Sequence, residues 1–158
     1  PERIGLWGQS AGGHLALLLG TTADIGNSEP ADEFERTEGR VAAIVAYYPV
    51  SDLERWTRTD SSLVRRFPAC EIPPEQAYAF SPVHFASSDD PPTLIIHGDQ
   101  DRLVPIVEGR SMYEMLLESD VSAKFVTVEG AGHGFAGEEA DSSLSETLNW
   151  FLEHLARQ

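Results

Sequence analysis

Residues 3–16 read RIGLWGQSAGGHLA, and this stretch decides the fold class. A short apolar run at residues 3–7 leads into GQSAG at residues 8–12, and a nearly continuous apolar run follows up to residue 20. The first run is typical of a buried strand, and the second of a helix that is apolar, and therefore packed, nearly all round. A serine flanked by glycines between a strand and a helix predicts a tight turn with a strained serine backbone, in which side chains two residues on either side would collide. Such a turn would lift the Ser10 hydroxyl above the end of a sheet.

Further apolar runs predict three more strands, at residues 41–47 (VAAIVAY), 93–97 (TLIIH) and 123–128 (AKFVTV). Helix patterns cover residues 106–119 and the stretch 144–155. The second of these is predicted to carry one apolar stripe, formed by Leu144, Leu148, Phe151, Leu152 and Leu155. The alternation of strands and helices predicts an α/β fold, with a mainly parallel sheet of about four strands and helices on both faces.

The composition excludes several classes of partner. The chain carries 26 acidic and 11 basic residues, and its net charge of -15 repels a phosphate backbone, so nucleic acid is not expected as a partner. The apolar runs are well short of the about 20 residues that span a bilayer, so no membrane span is expected. Cys70 is the only cysteine, so neither an intrachain disulfide nor a cysteine-based metal site can form.

A serine hydroxyl is a weak nucleophile until a neighbouring base takes its proton, and that base needs a third group to fix its tautomer. His133 lies in a glycine-rich loop, residues 130–135, after the last predicted strand, and Asp101 follows the third. Because the carboxyl ends of parallel strands share one edge, we expect Ser10, Asp101 and His133 to meet there. Asp99 is interpreted as a turn-forming residue that bonds its own backbone.

The other four histidines are interpreted differently. His14, one turn after Ser10, is expected to be a hydrogen-bonded packing residue. His97 is expected to be structural at a strand end, and His154 to be exposed on the closing helix. The sequence assigns no role to His84.

Four motifs stand out over the chain as a whole: GQSAGGHLA, YYPVSDL, SPVHFASSDDPPTLIIHGDQDRLVP and EGAGHGF. Together they resemble the hormone-sensitive-lipase-like esterases of the α/β-hydrolase fold, and in particular the feruloyl and acetyl-xylan esterase branch. The resemblance implies hydrolysis of a carboxylic ester through an acyl-enzyme on Ser10. His133 would act as base and then as acid, and Asp101 would orient it; the order Ser10, Asp101, His133 is that of the fold. The resemblance implies no metal and no organic cofactor.

One part of the family pattern does not occur in the sequence. Members carry further strands, helices and an HGGG-type oxyanion loop before the elbow, whereas here the strand leading into Ser10 comes first. Only the Ala11 N–H half of the oxyanion hole is carried over. We therefore expect a C-terminal catalytic fragment that lacks the N-terminal strands and is weakly active or inactive alone. Its first strand would pair with the missing half or with a second copy in a homodimer.

Residues 51–92 are rich in proline and charge and have no strong period, which predicts an excursion covering the strand ends within one partial domain, residues 1–158. Trp56, in this excursion, either contacts substrate or packs the segment onto the sheet. Gln9 and Phe135, next to the elbow and the base, are the other candidate substrate contacts. Three more residues of the excursion could line an acyl or alcohol pocket: Arg55, Arg58 and Phe67.

The expected substrate is a small-molecule ester with a short acyl or an aryl group. Acetylated or feruloylated carbohydrate is implied by the resemblance alone. The alternatives are a prolyl-oligopeptidase-type peptidase, an arylformamidase and a non-catalytic hydrolase-like module.

Overall fold

The computed structural model describes residues 3–23, 39–58 and 72–155. Within these ranges the elements are, in chain order, β1 (Gly5–Gln9), α1 (Ala11–Thr21), β2 (Ala43–Tyr47), α2 (Leu53–Arg58), α3 (Pro74–Ala77), two 3₁₀ turns (Tyr78–Phe80 and Pro82–His84), β3 (Thr93–Gly98), α4 (Val107–Glu118), β4 (Ala123–Val128) and α5 (Glu138–Leu155). Phe67, a predicted pocket residue, lies outside the described residues, and so does Cys70.

The four strands form one parallel sheet in the order β1-β2-β3-β4, as predicted. One row across the sheet aligns Gly8 with Ala46, Ala46 with Ile95, and Ile95 with Phe125. Every residue of β2 is buried, which explains why its sequence is continuously apolar rather than alternating. All four strands end at the same edge of the sheet, and among the described strands β1 is an outer one.

Helices cover both faces of the sheet, which confirms the predicted layering. On one face, Leu17 of α1 and Met112 of α4 pack against Ile95. On the other face, Trp150 of α5 packs against a cluster that includes Leu94. Neighbouring residues of a strand point to opposite faces, so β3 contributes alternately to the two cores.

The apolar residues of α1 and α5 are not all buried. Leu15 and Leu19 of α1 are 61% and 52% exposed, so the prediction that this helix is packed nearly all round is wrong among the described residues. The apolar stripe predicted on α5 is also divided, because the face turned to the sheet carries Ser143, Thr147 and Trp150. Phe151 and Leu155 of the stripe pack against the core cluster, whereas three of its leucines are exposed: Leu144, Leu148 and Leu152.

Across residues 3–23, 39–58 and 72–155, none of the helices combines the length and the apolar character needed to cross a bilayer.

Candidate active site

The turn between β1 and α1 has the strained backbone that the sequence predicts. Ser10 has φ 52° and ψ -118°, in a region that residues with a side chain rarely adopt. Two hydrogen bonds hold it there: Ser10 N–H donates to the Tyr47 carbonyl over 2.9 Å, and His14 N–H donates to the Ser10 carbonyl over 2.9 Å. The nucleophile elbow is therefore attached to the end of β2 as well as to its own helix.

The two glycines of the elbow have different physical roles. A Cβ on Gly8 would overlap the carbonyl group of Gly12, so β1 and α1 approach too closely for any side chain there. A Cβ on Gly12 would meet no described atom within 4 Å. The predicted collision on both sides of the serine therefore occurs on the Gly8 side alone.

We predict opposite outcomes for alanine at these two glycines. Gly8→Ala should lower the free energy of unfolding by about 3 kcal/mol, because the clash is with backbone atoms that cannot move aside. Gly12→Ala should change it by no more than about 1 kcal/mol, and in the stabilising direction, because alanine favours the helix. Urea denaturation of both variants measures the difference, and equal losses would contradict the assigned roles.

The structure brings the three predicted catalytic residues together. The Nε2 atom of His133 lies 2.9 Å from Ser10 Oγ, and its Nδ1 atom lies 2.7 Å from Asp101 Oδ2. A carboxylate only accepts, so Nδ1–H donates to Asp101, and Nε2 is left to accept the Ser10 hydroxyl proton. This is the tautomer that a base acting on Ser10 needs. These residues follow β1, β3 and β4, as the strand-end argument predicts.

The Asp101 carboxylate is buried and held by several donors. Its Oδ1 atom accepts the N–H groups of Leu103 and Val104, each over 2.9 Å, and its Oδ2 atom lies 3.5 Å from His97 Nε2. Burial by itself raises the pKa of Asp101, but the hydrogen bonds from His133, His97 and the two backbone amides outweigh it and hold the pKa well below its usual range. Asp101 is therefore ionised at neutral pH, as the orienting partner of a base must be.

The loop that carries His133 is attached to the turn that carries Asp101. Asp99 Oδ1 accepts the Gly130 N–H over 2.8 Å, so the interpretation of Asp99 as a residue that bonds its own backbone is corrected: it bonds the base's loop. Gly130 has a φ of 76°, a conformation that favours glycine. A second contact, from Gln100 N–H to the Ala131 carbonyl, spans 3.0 Å. The loop of His133 and the turn of Asp101 are thus held together.

Two of the other histidines have the structural roles expected of them. His14 Nδ1–H donates to the Val50 carbonyl over 3.1 Å, and burial lowers the pKa of His14 more than this hydrogen bond raises it. His97 is fully buried, and its Nε2–H donates to the Val104 carbonyl over 2.9 Å. Neither ring is placed to act on Ser10.

The remaining two histidines, His154 and His84, each contact an aromatic ring. His154 is half-buried, with its ring centroid 4.3 Å from that of Trp150, so the expectation of an exposed His154 is wrong. His84, to which the sequence assigned no role, stacks on Tyr78 at 4.4 Å and places Nε2 2.9 Å from Glu54 Oε2.

The predicted substrate contacts fall into two groups. Gln9 and Phe135 lie next to the catalytic residues and both contact Tyr48: Gln9 Oε1 accepts its hydroxyl over 2.8 Å, and the Phe135 ring lies 5.0 Å from its ring. Trp56 is only 7% exposed and packs in a cluster with Val104, which favours packing over substrate contact.

Arg55 also takes a structural position. Its Nη1 atom lies 3.4 Å from Glu108 Oε1, and its Nε atom lies 3.5 Å from Asp52 Oδ2. The side chain of Arg58 is outside the described part of the chain.

One candidate cation site can be tested against its hydrogen bonds. Asp52, Glu54 and His84 each present a ligand atom, and these atoms lie within 4.8 Å of one another. Asp52 Oδ1 already accepts the Arg55 N–H over 2.9 Å, and the other Asp52 oxygen faces the Arg55 guanidinium. His84 is paired with Glu54. These contacts account for the arrangement, and we assign it no role in catalysis.

The sequence reasoning missed Glu108, a buried carboxylate in the first turn of α4. It is 1% exposed and accepts the N–H groups of Ser51 and Asp52, each over 3.0 Å. Glu108 thereby attaches the chain that leaves β2 to the helix that follows Asp101. Its helical position alone does not reveal this, because acidic residues are common in the first turn of helices.

Loss of this carboxylate should be costly. We predict that Glu108→Ala lowers the free energy of unfolding by roughly 3–5 kcal/mol, because two buried N–H groups lose their acceptor and the Arg55 guanidinium loses one of its partners. Glu114→Ala, an exposed position of the same helix, is the matched control and should change it by less than about 0.5 kcal/mol. Chemical denaturation of the two variants tests this, and similar values for both would contradict a role for Glu108 in holding the loop.

Comparisons with known proteins find a family model, relatives and solved structures that this chain resembles. The family model BD-FAE matches residues 1–116. Esterase LipC of Mycobacterium tuberculosis is 32% identical over 145 residues, 84% of this chain. Two solved structures superpose with high scores: a truncated form of a carbohydrate esterase from gut microbiota (TM-score 0.79, 25% identity, 99% of this chain) and Thermogutta terrifontis esterase 2 phosphonylated by sarin (TM-score 0.78, 26% identity, 97% of this chain).

The chain spans only part of these proteins. It covers 34% of the length of LipC, 61% of the carbohydrate esterase chain and 57% of the Thermogutta chain. The fold and the family are therefore shared over nearly the whole of this chain and over a part of each relative.

Proposed function

We propose that this chain, which belongs to the BD-FAE family and has the fold of the α/β-hydrolase esterases, forms the catalytic part of a carboxylic ester hydrolase. The observation that carries the proposal is the continuous hydrogen-bond relay from Ser10 through His133 to Asp101, set on a strained elbow at the carboxyl edge of the sheet. The esterases among its relatives support the same reaction class.

The reaction would run through an acyl-enzyme. Ser10 Oγ attacks the carbonyl carbon of the ester while its proton passes to His133 Nε2. The Asp101 carboxylate stabilises the imidazolium and stays ionised. Collapse of the tetrahedral intermediate breaks the bond to the alcohol oxygen, which takes the proton from Nε2. Water then attacks the acyl-enzyme with His133 again as base, which releases the carboxylic acid and regenerates Ser10.

The charge that develops on the carbonyl oxygen needs donors. Ala11 begins α1 directly after Ser10, and the first amides of a helix have no carbonyl partner within the helix. We expect its N–H group, aided by the positive end of the helix dipole, to stabilise that oxyanion. Each such donor is typically worth roughly 100- to 1000-fold in rate.

The proposed substrate is an ester with a short acyl or an aryl group, and acetylated or feruloylated carbohydrate is the specific class proposed. One structural relative is named as a carbohydrate esterase, which supports a sugar as the alcohol. Another relative, Thermogutta terrifontis esterase 2, was phosphonylated by sarin, which supports a nucleophile in that esterase that reacts with small electrophilic esters.

A panel of three substrates tests the function. We expect the intact protein to hydrolyse p-nitrophenyl acetate with a higher kcat/KM than either N-formylkynurenine or an alanyl-prolyl p-nitroanilide. A preference for the formamide would indicate an arylformamidase, and a preference for the anilide a prolyl peptidase. A folded protein that hydrolyses none of the three would contradict the proposal and favour a non-catalytic module.

A further inference from the structure

Tyr48 follows β2 directly and sits between the strand that carries Ser10 and the strand that leads to Asp101. It is 5% exposed and has a φ of 37°, in the left-handed region that bulky residues rarely occupy. Its N–H donates to the Ile96 carbonyl over 2.8 Å, so the backbone is held in this conformation by the sheet. Strained, bulky residues of this kind cluster where a side chain must point in one direction for function.

The ring of Tyr48 packs against the proposed base. Its centroid lies 4.6 Å from that of His133, with an angle of 60° between the planes. The hydrogen bonds of His133 to Ser10 and Asp101 fix the positions of its two nitrogens. They leave the imidazole free to tilt about the line through those nitrogens. A side chain packed against the ring restricts this tilt, and Tyr48 provides that contact.

The hydroxyl of the same residue reaches the elbow. It donates to Gln9 Oε1 over 2.8 Å, and Gln9 is both the last residue of β1 and the neighbour of Ser10. Burial first, and then the neighbouring Tyr47 and Asp101, raise the pKa of Tyr48, so its hydroxyl stays protonated and remains a donor. One side chain therefore contacts the base with its ring and the nucleophile's turn with its hydroxyl.

We propose that Tyr48 is a positioning residue that holds His133 and the nucleophile elbow in fixed relation to each other. The inference rests on the proposed function, because positioning matters only if Ser10 and His133 react together. Tyr48 contacts none of the reacting atoms, and it acts through His133 and Gln9.

The neighbouring tyrosine offers a matched control. Tyr47 is also buried, and its hydroxyl bonds Thr147 Oγ1 of α5 over 2.7 Å. Its ring lies against Trp7 and Phe135, at 5.7 and 5.6 Å. Tyr47→Phe keeps the ring and the backbone carbonyl that accepts the Ser10 N–H, and it deletes only a buried side-chain hydrogen bond of similar length away from the elbow.

The test compares Tyr48→Leu, Tyr48→Phe and Tyr47→Phe in the intact protein, with kcat and KM for p-nitrophenyl acetate and the rate of Ser10 phosphonylation. Tyr48→Leu should lower kcat and the phosphonylation rate roughly 10- to 100-fold with KM little changed, because the base is no longer held in line. Tyr48→Phe keeps an aromatic ring beside His133, so its kcat and phosphonylation rate should stay within about 10-fold of the wild-type values. Tyr47→Phe should leave kcat unchanged.

Different results would overturn the proposed function and the inference about Tyr48. A wild-type protein that neither turns over the ester nor is phosphonylated would overturn the proposed function, and the inference with it. A reactive wild type with a folded Tyr48→Leu variant of equal kcat would overturn the inference alone, as would an equal loss in Tyr47→Phe.

A second comparison covers the case in which Tyr48→Leu does not fold. Tyr48→Phe and Gln9→Leu remove the two ends of one hydrogen bond. The kcat of the double variant should therefore be no lower than that of the slower single variant. Independent, multiplying losses would overturn the inference.

Discussion

Ser10→Ala is expected to lower kcat for p-nitrophenyl acetate by roughly a million-fold, with the fold intact. In the proposed mechanism the serine supplies the oxygen that forms the acyl-enzyme, and no other described side chain is bonded to His133 Nε2. His133→Ala should cost about as much, because the hydroxyl then has no acceptor for its proton. Combining the two substitutions should add little, since the residues act as one unit.

The control for this loss is Ser145→Ala. Ser145 is exposed on α5, and its hydroxyl bonds only the Asp141 carbonyl of its own helix among the described contacts. Its removal should leave kcat unchanged. Residual turnover in Ser10→Ala within about ten-fold of the wild type would place the nucleophile elsewhere.

Asp101→Asn is expected to have the next largest effect after these two substitutions, a loss of roughly 10,000-fold in kcat with little change in KM. An asparagine amide can donate to His133 Nδ1, which would favour the tautomer with the proton on Nε2. That tautomer cannot accept the Ser10 proton, although the side chains keep their places. Steady-state kinetics at neutral pH measures the loss, and a change of less than about ten-fold would contradict the orienting role.

The same carboxylate makes the stability of the protein depend on pH. The pKa of Asp101 is lower in the folded state than in the unfolded chain, so its ionised form stabilises the fold. This contribution is complete above the unfolded pKa of about 4 and is lost as pH falls toward the folded value. The difference in unfolding free energy between wild type and Asp101→Asn should therefore shrink below about pH 4. Chemical denaturation of the two proteins at neutral and at acidic pH measures this difference.

The chemistry-bearing residues were predictable because each lies in the turn or loop that follows a strand. Ser10, Asp101 and His133 stand at the ends of β1, β3 and β4, and a parallel sheet brings such ends to one edge. The layering was equally predictable, since the all-apolar β2 requires cover on both faces. The assignments that depend only on strand order and burial thus follow from the sequence.

The residues missed by the sequence act through contacts that no local pattern encodes. Tyr48 reads as the end of an apolar strand, and its role depends on packing against His133, far along the chain. Glu108 reads as an ordinary helix-start acid, and its role depends on the Ser51 and Asp52 amides. The sequence around Trp56 does not decide between substrate contact and packing, because it does not show which residues bury the side chain.

The helix faces could not be read from periodicity alone. On α5, Thr147 faces the sheet because it shares a hydrogen bond with Tyr47, while Leu144 and Leu148 on the neighbouring face are exposed. A polar residue with a buried partner thus takes a position that the leucine pattern would assign to an apolar one.

Phosphonylation of Ser10 tests the central claim most directly. The intact protein is incubated with a p-nitrophenyl alkylphosphonate, release of p-nitrophenol is followed, and the adduct is located by peptide mass spectrometry. We predict one equivalent of adduct on Ser10, none in Ser10→Ala, and strongly slowed labelling in His133→Ala. A folded protein that remains unlabelled, or that carries the adduct on a residue other than Ser10, would contradict the assignment of Ser10 as an activated nucleophile.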